Sequence, residues 1–167
     1  MSDPIRTVLL TKINAVAKAP VTSADLIFGS PATATGAKNT TLDVTSSPGY
    51  GRVGSMTFTY NRVALDAAIT GTVELELTAG MTTTHDVLPA LLVAHPLLLA
   101  ARDITDVALP AAGGDGVIEV TLTATAGSLG WIGTKVVRLV PPPAELADDF
   151  NTGTLDGLNV ADLTPAG

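Results

Sequence analysis

The chain has 167 residues, 46% of them hydrophobic and only 15% charged, with a net charge of −7 and no cysteine. One domain of this size can bury a substantial core, yet its charge content falls well below the usual quarter or so, which leaves apolar surface for a partner. The acidic balance and singly scattered Lys and Arg argue against nucleic acid, the missing cysteines exclude disulfides and thiolate metal sites, and no apolar run approaches the roughly 20 residues that span a bilayer.

Residues 2–18 read as a helix. Ser2 or Asp3 caps it, Pro4 suits its first position, and Ile5, Val8, Leu9, Ile13 and Val16 recur at helical spacing. Pro20 stops it. No basic region and apolar stretch resembling a secretion signal opens the sequence, so synthesis in the cytoplasm is expected. Residues 25–28 form a short apolar piece with strand character, and 29–38 are rich in loop residues.

Residues 41–45 alternate Leu42 and Val44 with Thr41, Asp43 and Thr45. Residues 55–61 alternate Met56, Phe58 and Tyr60 with Ser55, Thr57 and Thr59. Side chains of a strand point to opposite faces in turn, and Pro48-Gly49 signals a turn between the runs, so a hairpin is predicted. Gly49, Gly51 and Gly54 match the dinucleotide fingerprint letter for letter, but that fingerprint requires a helix after the glycines, and a strand follows here. Tyr60-Asn61-Arg62 ends the second strand. Arg62 is a candidate interface residue, either pairing a carboxylate across a subunit boundary or standing in water at a strand end.

Val73, Leu75 and Leu77 alternate with Glu74 and Glu76, which marks a strand over 73–78 with a solvated face and a protected edge. A second helix is predicted over 86–95. Thr84 or Asp86 caps it, Pro89 falls in its first turn, and Pro96 ends it. Leu88, Leu91 and Leu92 form its buried stripe. His85 and His95 are the only histidines and sit ten residues apart, too far for an i, i+4 metal pair. No Gly-x-Ser-x-Gly elbow is present to build a hydrolytic triad. No catalytic, cofactor or metal site is therefore expected. A short helical turn is predicted over 100–104. The run 21–26 echoes 99–104, from either an old duplication or a recurring turn.

Residues 116–140 organise the rest. Ile118, Val120, Leu122 and Ala124 alternate with Glu119, Thr121 and Thr123; a Gly/Ser break follows, then a second β-rich run to Val140. This reads as a central hairpin. Trp131 beside the break is expected to anchor the core or an interface. Pro141, Pro142 and Pro143 favour extended polyproline geometry and divide a domain over 1–140 from an arm over 141–167. In the arm, Leu146, Phe150, Leu155, Leu158, Val160 and Leu163 fit no period. Phe150, Leu155, Leu158 and Leu163 are expected to dock one by one on a neighbouring subunit or on the chain's own domain. Asp149, Asn151 and Gly153 hint at a calcium loop but lack its final glutamate, since Val160 stands at position 12. The fold class is β-rich α+β, an antiparallel or mixed sheet with about two helices on one face and an extended C-terminal arm.

Three blocks in order resemble a domain that recurs in structural proteins of tailed bacteriophages and is generally without an assigned function. They are Leu9-Leu10-Thr-Lys-Ile13-Asn14-Ala; Ala37-Lys-Asn39-Thr with Gly49-Tyr-Gly51 and Phe58-Thr-Tyr60-Asn61-Arg62-Val-Ala-Leu65; and, within 97–138, Asp103-Ile104-Thr-Asp106, Leu109-Pro110, Val120-Thr-Leu122-Thr-Ala124 and Ala126-Gly-Ser128-Leu129-Gly-Trp-Ile-Gly133. The resemblance covers residues 5–140 and leaves out the arm. It implies a virion component and supplies no catalytic residues. A capsid decoration protein is the expectation, bound to the major capsid protein or other virion proteins and to copies of itself, without cofactor, nucleic acid or membrane. A tail, neck or baseplate component is the alternative within that class. A carbohydrate-binding adhesin is the alternative outside it, weakened by an aromatic content of 4%.

Overall fold

The computed structural model describes residues 4–16, 20–49 and 54–142. The helix α1 (Pro4–Val16) is followed by β1 (Leu26–Phe28), β2 (Ala32–Thr33), β3 (Thr40–Ser46), β4 (Ser55–Tyr60) and β5 (Val63–Ala64). Next come a one-turn helix α2 (Leu65–Ala68), β6 (Glu74–Glu76), α3 (Thr84–Ala94) and a 3-10 turn at Ala101–Asp103. The strands β7 (Ile118–Thr123), β8 (Trp131–Ile132) and β9 (Thr134–Val140) complete the order. The class is the β-rich α+β expected from the alternating runs.

The single expected sheet is divided in three. The strands β1, β2 and β4 all pair antiparallel with β3, β5 pairs parallel with β8, and β9 lies between a parallel β6 and an antiparallel β7. The expected 116–140 hairpin exists as β7 and β9, with Ile118 opposite Leu139 and Thr123 opposite Thr134. Its connection is longer than the Gly/Ser break suggested, because Trp131 and Ile132 leave the ladder to pair with Val63 and Ala64. In β7 the burial follows the period-two pattern: Ile118, Val120 and Leu122 are buried, and the residues between them are exposed.

Each of the two longer helices covers its own sheet. On the β6–β9–β7 side, Val87, Leu88 and Leu91 of α3 join Leu65, Ile69, Leu75, Val120, Leu122, Trp131, Val137 and Leu139 in the larger core. On the other side, Ile5 and Leu9 of α1 pack on a smaller cluster of Leu42, Val44 and Leu129. Within the expected α1 stripe, Ile5, Leu9 and Ile13 are half-buried, whereas Val8 is 47% exposed. The helix turns a narrower apolar edge to the sheet than its spacing indicated.

The second helix starts two residues before the expected Asp86, at Thr84. Pro89 therefore lies in the second turn rather than the first, with no amide to return to the His85 carbonyl. The start is fixed by Asp86, whose Oδ2 accepts from the backbone N–H of Thr82 and Thr83, each at 2.8 Å. Similar turns close at Asp25, which accepts from Thr22 N at 2.7 Å, and at Asp103, which accepts from Ala100 N at 3.0 Å. These last two are the echoing segments. Since the turn also occurs at Asp86, outside the echo, its chemistry accounts for the recurrence.

Candidate functional site

The two cores meet along a polar seam that begins with Arg62. Its Nε donates to Thr40 Oγ1 at 3.0 Å, and its Nη1 to the carbonyls of Ser128 at 3.2 Å and Ala126 at 3.4 Å. Asn39 holds the backbone beneath it: its Oδ1 accepts from Arg62 N and its Nδ2 donates to Arg62 O, both at 2.8 Å. Within its own chain Arg62 is thus engaged by side-chain and backbone acceptors at the strand end. It ties β3 to the loop between β7 and β9. Next along the chain, Val63 N donates to Gly130 O at 2.8 Å and extends the tie into the β5–β8 pair.

Trp131 is only 6% exposed and belongs to the larger core. Its indole N–H donates to Leu98 O at 3.0 Å. Of the two roles expected of it, core or interface anchor, this placement is the core one, with the ring's surface buried within the domain. Under the ring, Ser128 Oγ donates to Asp103 Oδ1 at 2.7 Å and accepts from Trp131 N at 3.2 Å. Spacing alone did not reveal this network, since Asp103 and Ser128 lie 25 residues apart. Phe150, Leu155, Leu158 and Leu163, with the calcium-like run at 149–153, lie outside the described residues.

His85 meets a carboxylate, but in an arrangement that holds the fold. A carbonyl can only accept, so Nε2 donates to Ile104 O at 2.9 Å, while Nδ1 lies 3.5 Å from Asp106 Oδ2. Through the Nε2 hydrogen bond the ring bridges the start of α3 to the 104–106 segment. Among the described residues no group of three His, Cys, Asp or Glu is placed to hold a metal. After Gly54 the chain enters β4 and not a helix, so the helix N-terminus that the dinucleotide fingerprint requires does not follow it.

Asp86 and Asp106 make the first helix turn of α3 sensitive to acid. Donors hold both carboxyls below their ordinary 3.8, the Thr82 and Thr83 amides first for Asp86 and the Thr83 hydroxyl first for Asp106. A depressed folded value stabilises the fold fully above the ordinary value, and that stabilisation is lost as pH falls through the folded one. Urea midpoints are therefore expected to stay level from about pH 7 to pH 5 and to fall below about pH 4. The Asp86→Asn variant should show a smaller fall. An identical acid profile in that variant refutes the assignment.

The strand β4 pairs with β3 and, among the described residues, with no other strand. Its Met56, Phe58 and Tyr60 stand opposite the buried Val44, Leu42 and Thr40, so the apolar face of the sheet runs out to an open edge. Met56 is 57% exposed. Between α1 and the face of this sheet lies a cavity of about 360 Å³, with Leu9, Lys12 and Ile13 of α1 on one side and Phe28, Leu42, Val44, Phe58 and Tyr60 of β1, β3 and β4 on the other. The Tyr60 hydroxyl is buried there without a hydrogen-bond partner among the described residues. Burial raises its pKa, with Arg62 opposing.

The described residues form a two-core, β-rich α+β domain with an apolar strand at one sheet edge. The chain belongs to a family of unknown function, DUF7941, whose model matches residues 1–165 and so runs through the proline run and most of the arm. No curated protein and no solved structure matches it.

Proposed function

We propose that this protein is a structural component of a tailed-bacteriophage virion, and within it a capsid decoration protein. It binds the shell through repeated symmetric contacts to the major capsid protein and to copies of itself, and the arm over 141–167 extends onto a neighbouring subunit. The observation that carries this reading is the open edge of β4. Natural edge strands are usually blunted by Lys, Pro, a bulge or a covering element. The run Ser55–Tyr60 has no charge and no proline, and Met56 is more than half exposed. Such an edge suits a protein that works by adhesion to other proteins. The resemblance of the three sequence blocks to phage structural proteins supports the same reading.

Removing residues 144–167 tests it. The truncated protein should keep the far-ultraviolet spectrum of the full chain, and particle reconstructions should show its density on the shell greatly reduced. Undiminished occupancy by the truncated protein refutes the role given to the arm. Full-length density confined to a few copies in a ring at the neck or tail refutes decoration of the shell.

A further inference from the structure

We propose that the groove between α1 and the β1, β3 and β4 face of its sheet is the receiving site for residues 144–167 of a second copy of this chain. This rests on the role given to the arm above and supplies the surface it docks on. The groove is apolar except at Lys12, Thr59 and the Tyr60 hydroxyl. Lys12 stands exposed at its rim without an acidic partner among the described residues, and α1 carries no acidic residue. The Tyr60 hydroxyl inside lacks a partner. A fitting occupant brings bulky apolar side chains, negative charge and a hydrogen-bond acceptor.

The arm has that composition. Phe150, Leu155, Leu158 and Leu163 are interspersed with Glu145, Asp148, Asp149, Asp156 and Asp162, and no Lys, Arg or His occurs after Arg138. Its backbone carbonyls and carboxylates can accept from Tyr60, and its acids complement Lys12. The family match reaches residue 165, so the arm belongs to the family's length.

Direction favours a second copy over the chain's own groove. The smaller core beneath the groove includes Leu129, in the loop that precedes the start of β9 at Thr134. The arm leaves from the other end of β9, after Val140. Seven extended residues separate these ends by roughly 20 Å. The three prolines then favour a stiff, extended departure at about 3.1 Å per residue. An arm that leaves one end and a groove at the other make a head-to-tail contact, which closes into a ring or continues as a row.

The test uses purified full-length protein without particles, so it can fail while the virion assignment stands, and the reverse. Mass is followed by light scattering over a concentration series at low salt. The wild type should self-associate. Lys12→Glu in the groove, and Phe150→Ala with Leu155→Ala in the arm, should each weaken association by about tenfold or more while leaving circular dichroism unchanged. An equimolar mixture of the groove and arm variants should form a one-to-one heterodimer and nothing larger, because each supplies the part the other lacks. A wild type that stays monomeric at every concentration overturns the proposal. Association that survives both sets of substitutions overturns it too, and would point to direct pairing of β4 edges.

Discussion

Trp131→Ala is expected to destabilise the isolated domain by about 3–5 kcal/mol, the usual cost of emptying a large aromatic site in a core. At about 2–4 °C per kcal/mol for a domain of this size, the melting midpoint should fall by about 10 °C. The effect comes from inside one chain: the ring is 6% exposed, packs in the larger core and donates to Leu98 O. Trp131→Phe keeps most of the volume and loses that hydrogen bond, so about half the cost should return. Thermal unfolding followed by circular dichroism measures both. A Trp131→Ala variant as stable as the wild type, but deficient in self-association, would refute the core role and favour an interface one.

Asp103→Ala should cost about 3 kcal/mol. The carboxylate is 4% exposed and accepts from the Ser128 hydroxyl at 2.7 Å and from the Ala100 amide at 3.0 Å. Its removal leaves two donors in a site with little water, at about 1–3 kcal/mol for each buried group left unpaired. Asp103→Asn retains an acceptor oxygen and should recover more than half of the loss. Ser128→Ala should add little once Asp103 is gone, because the two act as one network. Additive losses in the double variant would show that the two side chains are energetically independent.

The fold was legible in the sequence wherever local pattern decides the outcome. Ile118, Val120 and Leu122 alternate strictly and form β7; Leu42 and Val44 do the same in β3. The pairs β5 and β8, of two residues each, were not legible, since so short a strand has no period to detect. Nor was the division into three sheets, because the parallel partnership of β6 with β9 joins residues far apart in sequence. The capping aspartates show the opposite error. Asp86 was legible as a cap, but its carboxylate reaches back to Thr82 and Thr83, so the helix starts earlier and Pro89 falls deeper within it.

The candidate contact residues divide along the same line. The period placed Met56, Phe58 and Tyr60 on one face but could not say that β4, among the described residues, pairs with β3 alone. Arg62 drew notice as a charge closing an apolar strand, yet its partners at Ala126 and Ser128 lie 64 and 66 residues away. A local reading sees the charge and misses the carbonyls that absorb it. Trp131 was singled out as the one tryptophan, and its pairing with Val63 turned it inward.

The strand from which the arm departs has a mechanical consequence. On one flank β9 is bonded to β6 at Arg138, Leu139 and Val140, and on the other to β7 from Thr134 to Leu139. Tension applied through Pro141 acts along the strand and across both ladders, so the bonds share the load in shear rather than parting one after another as in a peeled edge. A subunit pulled by its C-terminus would therefore bear the load across both ladders at once.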